Sequence, residues 1–169
     1  MNTATQNLEN DHVYILRLTD IMLAMVEKRS TDTNHFELVT NLIRNFADGL
    51  HHAKEEDLLF PLLEEKGFSP ENGPVAVMLH EHEQGRNYVK GASNGIEDFK
   101  KGNAEALQSI YDNLSAYAIL LKGHIDKENN AKRARLVKRS IRYSFNQKKF
   151  IRELDEAIAK YEVALEKFM

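Results

Sequence analysis

The sequence predicts an all-α fold: an up-down-up-down four-helix bundle with an additional C-terminal helix. Three observations carry this. Proline is scarce (three) and glycine modest (eight) in 169 residues, while Ala, Leu, Glu and Lys are plentiful, a balance that favours helix over sheet. Apolar residues recur with helical spacing in four long stretches. Between those stretches lie short polar, Gly- or Pro-containing breaks, which join neighbouring helices as antiparallel pairs.

The first helix is expected from about Leu8 to Lys28, with His12, Ile15, Leu16, Thr19, Met22, Leu23 and Val26 along one face. The Ser30 to Thr33 cluster breaks it and offers N-caps for the second helix. That helix runs from about Asn34 to Lys66, with Pro61 expected to kink or loosen it and Gly67 to end it. Within it, Leu59, Phe60, Leu62 and Leu63 read as core. After a loop from Gly67, Pro74 suits the first turn of a third helix carrying Val75, Met78, Leu79, His82 and Val89. Gly91 and Gly95 are expected to weaken its later half. Gly102 and Asn103 make the next turn. A fourth helix then starts near Ala104, with Leu107, Ile110, Leu114, Tyr117, Leu121, His124 and Glu128 in register.

Composition narrows the chemistry. There is no cysteine, which excludes disulfides, iron–sulfur ligation and thiolate zinc sites. The polar N-terminus and the lack of any apolar run near 20 residues predict a soluble, cytoplasmic protein with no membrane span. Charge is uneven: residues 1–128 hold 12 basic and 21 acidic side chains, and residues 129–169 hold 11 and 5. The chain therefore divides into a bundle over 1–130 and a basic extension over 131–169. In the extension, Ile151, Leu154, Ile158, Tyr161, Leu165 and Phe168 outline an amphipathic helix. Its apolar stripe needs a partner, so a homo-oligomer joined through 131–169 is expected. Eight basic residues from Lys132 to Lys149 read as a solvated face rather than a nucleic-acid surface.

Two segments concentrate the remaining signal. HHAKEEDLLF begins at His51 and HIDKEN at His124, and each sets a histidine four residues before a glutamate. On a helix those positions share a face, so each pair aims an imidazole and a carboxylate at one point. His12 and His82 lie on two further helices and can close the set around a buried metal pair. Any one of these residues alone reads as an ordinary surface or core residue; four ligand-bearing segments together do not. His52 and Glu56 offer an alternative register, but on an α-helical wheel His51 and Glu55 lie closer to the apolar centre formed by Ile43, Ala47, Leu50, Leu58 and Leu62. His80 lies about 200° around the helix from His82, so both cannot face the core. His35 falls outside these patterns and reads as surface. HEHEQ at His80 is not a zinc-protease motif, since the second histidine would have to stand at Gln84. Of the Glu-x-x-His elements a ferritin-like site needs, only Glu9 with His12 is present.

The stretches HHAKEEDLLFPLLEEKG, GPVAVMLHEHEQGR and HIDKENN, in this order, resemble the hemerythrin-like, histidine–histidine–glutamate cation-binding domain family over about residues 8–130. The resemblance implies a four-helix bundle around a non-haem di-iron site ligated by His12, His51, Glu55, His82, His124 and Glu128. Carboxylates have two oxygens and can bridge two metals about 3–4 Å apart, so Glu55 and Glu128 are the natural bridges. Four imidazoles with two bridges leave two octahedral ions short of full coordination even with a shared oxide or hydroxide. Zinc and manganese suit the same donors. The family's roles include oxygen binding, sensing of oxygen or nitric oxide, iron handling and supply of iron for cluster repair.

Oxygen-transport hemerythrins carry an extra histidine on the third helix, and here Met78 and Arg86 stand at the two positions four residues from His82. This disfavours oxygen carriage. The expected role is binding or sensing of a small diatomic ligand, oxygen or nitric oxide, at open iron positions. The alternative is a di-iron redox enzyme consuming peroxide or nitric oxide, or an iron storage or donor protein. Tyr117, seven before His124, is a candidate hydrogen-bond donor behind the ligands or a core packing residue. Arg86 is a candidate partner for a nearby carboxylate or a solvated side chain. After Asn130 the chain reads AKRARLV where the family usually continues with an apolar, Phe-Pro-containing segment.

Overall fold

In the computed structural model, which describes residues 4–65 and 67–130, four helical rods enclose one core. The first rod is α1 (Ala4–Glu27). The second is composite: α2 (Thr33–Leu42), π-helix π1 (Ile43–His52), π-helix π2 (Glu55–Leu59) and α3 (Phe60–Glu64). The third is α4 (Pro74–Lys100) and the fourth α5 (Ala106–Asn130). α1 packs on α5 and on π1, α2 and π1 pack on α4, and α4 packs on α5. Each rod thus has two neighbours, and short connections make them run up-down-up-down. The expectations for the extension over 131–169, including its amphipathic helix and subunit contact, lie outside the described residues.

The ends follow local chemistry. Asp32 caps α2, its Oδ1 accepting from the Asn34 N–H at 2.9 Å and the His35 N–H at 3.3 Å. Beyond α1 the chain turns through Arg29 at φ 50°, and beyond α4 through Gly102 at φ 96°, the left-handed conformation that stops a helix. Tyr111 on α5 donates to the Ser30 carbonyl at 2.8 Å and ties the first connection down.

Ile15, Leu18, Met22, Phe36, Ile43, Ile96, Ile110, Leu114 and Ile125 are wholly buried between the rods. Phe60, Val75 and Met78 form a smaller cluster at the other end, with Leu59 and Leu63 against it. Leu62, expected in the core, is 37% exposed. The later half of α4 is not weakened: the helix continues through Gly91 and Gly95 to Lys100. Both glycines are where α5 comes close, since a Cβ on Gly91 would collide with the Asn113 side chain and one on Gly95 would fall 2.9 Å from Ile110 Cγ1. Gly95→Ala is expected to destabilise the bundle by about 1–3 kcal/mol through overpacking, read as a lower urea midpoint at unchanged slope.

Rod two departs most from expectation. Pro61 sits in the first turn of α3, and the irregularity lies before it, where the Phe60 N–H reaches the Glu55 carbonyl. In a π turn the bond spans five residues, so successive side chains are rotated by less than the 100° of an α-helix. π1 ends on His51 and His52, and both are buried, at 1% and 2% exposure.

Candidate metal centre

His12 from α1, His51 from the end of π1, Glu55 from the start of π2, His82 from α4, and His124 and Glu128 from α5 converge between the rods. The two carboxylates stand between two sets of imidazoles. Glu55 turns Oε1 toward His51 Nε2 (3.8 Å) and Oε2 toward His82 Nε2 (3.3 Å). Glu128 turns Oε2 toward His12 Nε2 (3.1 Å) and Oε1 toward His124 Nε2 (3.2 Å). One group able to hold a cation is therefore His12, His51, Glu55 and Glu128, and a second is Glu55, His82, His124 and Glu128.

His52 adds to the second side. Its ring stacks on His82 at 3.8 Å, and with His82 and His124 it forms a three-histidine group. The preference for His51 over His52 on an α-helical wheel therefore found one inward histidine of two, because the π turn narrows the angle between them. Glu56, the other half of the alternative register, points to the outer edge of His82. The lack of a second histidine on α4 also needs qualification: Met78 packs with Phe60 and Val75, and rod two supplies the fifth imidazole instead. His80 is exposed and His35 half-buried beside Asp32, outside the cluster.

Behind the cluster, each imidazole's Nδ1 faces an oxygen. His12 meets Asn129 Oδ1 at 2.9 Å, His51 meets Asp11 at 3.2 Å, His52 meets Asp48 at 3.4 Å, His82 meets Glu56 at 2.7 Å and His124 meets Glu81 at 2.9 Å. An acceptor at Nδ1 draws the ring proton there and leaves the Nε2 lone pair for the centre. Each of the four carboxylates is in turn held by a cation. Lys54 binds Asp11 at 2.7 Å, Arg86 spans Asp48 at 2.8 Å and Glu56 at 2.6 Å, and Lys127 pairs with Glu81. Arg86 thus pairs with carboxylates rather than standing solvated, and it steadies two histidines through them.

Titration behaviour follows from burial and these partners. Burial raises Glu55 well above the usual carboxyl range, and the charge of Glu128 adds to it. For Glu128 burial also acts upward, but the His12 and His124 imidazoles beside it outweigh that effect and hold the group well below the usual range. Burial lowers His51, and it takes His52 down to about 4 and His82 down to about 3. His124 is opposite: burial acts downward, but its bonds to Glu128 and Glu81 raise it.

The protein atoms alone do not satisfy this arrangement. His12 Nε2, His51 Nε2, His52 Nε2, Glu55 Oε2 and Glu128 Oε2 are buried without a hydrogen-bond partner, and His82 Nε2 faces His124 Nε2 at 3.2 Å. Buried lone pairs aimed at one another are costly. Cations between them remove that cost, and a donor set of imidazole and carboxylate suits iron, zinc or manganese. The residues present therefore fit a metal pair. Tyr117 does not bond to the ligands: its hydroxyl is buried without a hydrogen-bond partner, and the residue borders a pocket that His52 also lines. The carboxylates behind the histidines were not anticipated from sequence. Asp48 stands four before His52 and could have been found by the same spacing rule, but Glu81 serves His124 across two helices and leaves no sequence signal.

Comparison with known proteins agrees with this geometry. The family model described as the hemerythrin HHE cation-binding domain matches residues 3–131. The iron–sulfur cluster repair protein YtfE of Pectobacterium atrosepticum is 32% identical over 83 residues, 47% of this chain and 37% of that protein. The aligned part is thus little more than a third of the relative's length. No solved structure matches the chain, and among the described residues no helix is long and apolar enough to cross a membrane. With four rods meeting at paired histidine and glutamate donors and a family match across most of its length, the chain belongs to the hemerythrin HHE cation-binding domain family.

Proposed function

We propose that the protein is a non-haem di-iron protein that binds or senses a small ligand, oxygen or nitric oxide. In this reading His12 and His51 would hold one iron, His52, His82 and His124 would hold the other, and Glu55 and Glu128 would be shared between them. The observation that carries the reading is the placement of one oxygen of each glutamate before each histidine set. The two sides are unequal, with two imidazoles against three, so the His12 and His51 side offers fewer protein donors to a bound metal. An iron pair supplies redox-active Lewis acidity to a small ligand there. The protein's own part is to fix the ligands through Asp11, Asp48, Glu56, Glu81 and Asn129 and to keep Glu55 and Glu128 out of bulk water. Iron-loaded protein exposed to oxygen or nitric oxide in a stopped-flow spectrometer tests this: a saturable, reversible spectral change supports it, and an unaltered spectrum contradicts it.

A second reading is a di-iron redox enzyme or an iron-handling protein, and the likeness to a cluster repair protein favours the iron-handling form. Multiple turnover of peroxide or nitric oxide, or transfer of iron to an acceptor protein, would distinguish it from reversible binding.

Loading is expected to release protons at pH 7. Ligation needs Glu55 ionised and the histidines neutral. His52 and His82 are already neutral at that pH, with values of about 4 and about 3. Glu55 and His124 are shifted the other way, both above their usual ranges, so they are the ligands at which metal competes with protons. Affinity accordingly rises with pH as Glu55 and His124 lose them. Calorimetric titration in buffers of different ionisation enthalpy measures the release, and buffer-independent heats would contradict it.

A further inference from the structure

We propose that Asn72, just before α4, is a site of spontaneous covalent modification, where the chain cyclises, loses ammonia and becomes aspartate or isoaspartate. The reaction is internal. The Gly73 amide nitrogen attacks Asn72 Cγ, so an N–Cγ bond forms and the Cγ–Nδ2 bond breaks. The proton of that amide leaves with the departing ammonia. Water then opens the five-membered imide at either carbonyl, so one water enters, one ammonia departs and nothing is oxidised. Opening at one carbonyl restores the ordinary main chain with an aspartate side chain. Opening at the other routes the main chain through the side-chain carbon, which is isoaspartate.

A glycine after the asparagine leaves the attacking nitrogen unshielded, because it has no Cβ and turns freely. The sequence has this pair twice, at Asn72–Gly73 and Asn94–Gly95. Both asparagines are exposed, so solvent access does not choose between them; the backbone does. Asn94 and Gly95 lie inside α4, where each N–H is committed to the carbonyl four residues back. Gly95 is also buried, with Ile110 Cγ1 2.9 Å from where its Cβ would stand, so that turn opens only if α4 parts from α5. Asn72 and Gly73 lie instead in a bend ahead of α4. Among the described residues neither the Asn72 side chain nor the Gly73 N–H is hydrogen-bonded, and a Cβ on Gly73 would meet nothing within 4 Å. The product carries a new carboxylate at the N-terminal end of α4, where the helix dipole favours negative charge. The Gly73 carbonyl accepts from the Val77 N–H at 3.2 Å, so the isoaspartate branch alters the chain path at the first turn of the helix that carries His82.

Mass spectrometry of tryptic peptides tests this in full-length protein aged in warm, mildly alkaline buffer, each sample compared with an unaged one. Trypsin releases residues 67–86 and 91–100 separately, and each peptide holds one asparagine. Peptide 67–86 is expected to gain the mass of an amide-to-acid exchange and to split into aspartyl and isoaspartyl forms. Peptide 91–100 is expected to change about a hundredfold more slowly, held back by the free energy of opening a packed helix. In urea the two sites are expected to react at similar rates. Asn72→Gln, whose longer side chain would have to close a larger ring, is expected to abolish the gain in 67–86, and Asn94→Gln to leave it unchanged. A gain in 67–86 no faster than in 91–100 in folded protein, a difference that persists undiminished in urea, or a gain retained in Asn72→Gln would overturn the proposal.

Discussion

Glu55→Ala and Glu128→Ala are each expected to reduce bound iron from two ions per chain to one or none. The reason is positional. Each carboxylate turns one oxygen to the His12 and His51 side and the other to the His82 and His124 side, so removing one takes a donor from both ions at once. A histidine serves one side only, so His12→Ala should weaken one ion more than the other. Metal analysis after gel filtration in chelator-free buffer measures both. Two ions retained in Glu55→Ala at wild-type affinity would show that the glutamate is not shared. The substitution should not unfold the metal-free protein, because it removes a buried carboxyl that titrates far above its usual range, and circular dichroism checks that.

Chelating the metal is the second large perturbation, expected to lower the melting temperature by about 8–16 °C. Ligands that bind only the folded chain stabilise it by about 4 kcal/mol at a thousandfold excess over Kd, and a domain of this size shifts by about 2–4 °C per kcal/mol. The unloaded centre leaves His12 Nε2, His51 Nε2, His52 Nε2, Glu55 Oε2 and Glu128 Oε2 buried without partners, and the Nε2 atoms of His82 and His124 facing at 3.2 Å. Differential scanning calorimetry of loaded and stripped protein reads the difference. Equal melting temperatures at saturating metal would mean that the cluster is satisfied without cations.

The parts of this centre that follow an α-helical period were legible in the sequence. His12, His82, His124 and Glu128 lie on regular helices, and their register follows from the apolar residues beside them. Tertiary packing and the widened turns of rod two obscured the rest. A 100° wheel places His52 farther than His51 from the apolar centre, whereas the π turn brings both inward. Gly91 and Gly95 read as helix-weakening from propensity alone; against α5 they permit an approach that a Cβ would block. Leu62 reads as core by hydrophobicity, but rod two leaves it at the surface. The oxygens behind the histidines divide similarly. Asp48 is four residues from the ring it meets, while Glu56 reaches His82 from another rod and only folding joins them.

The buried, glutamate-shared metal pair is tested most directly by iron K-edge X-ray absorption on protein loaded with iron and freed of excess metal, together with the iron content of the same sample. The account predicts two irons per chain, a nitrogen and oxygen donor shell, and an iron–iron scattering path of about 3–4 Å. One iron per chain, or two with no iron–iron path, would contradict it.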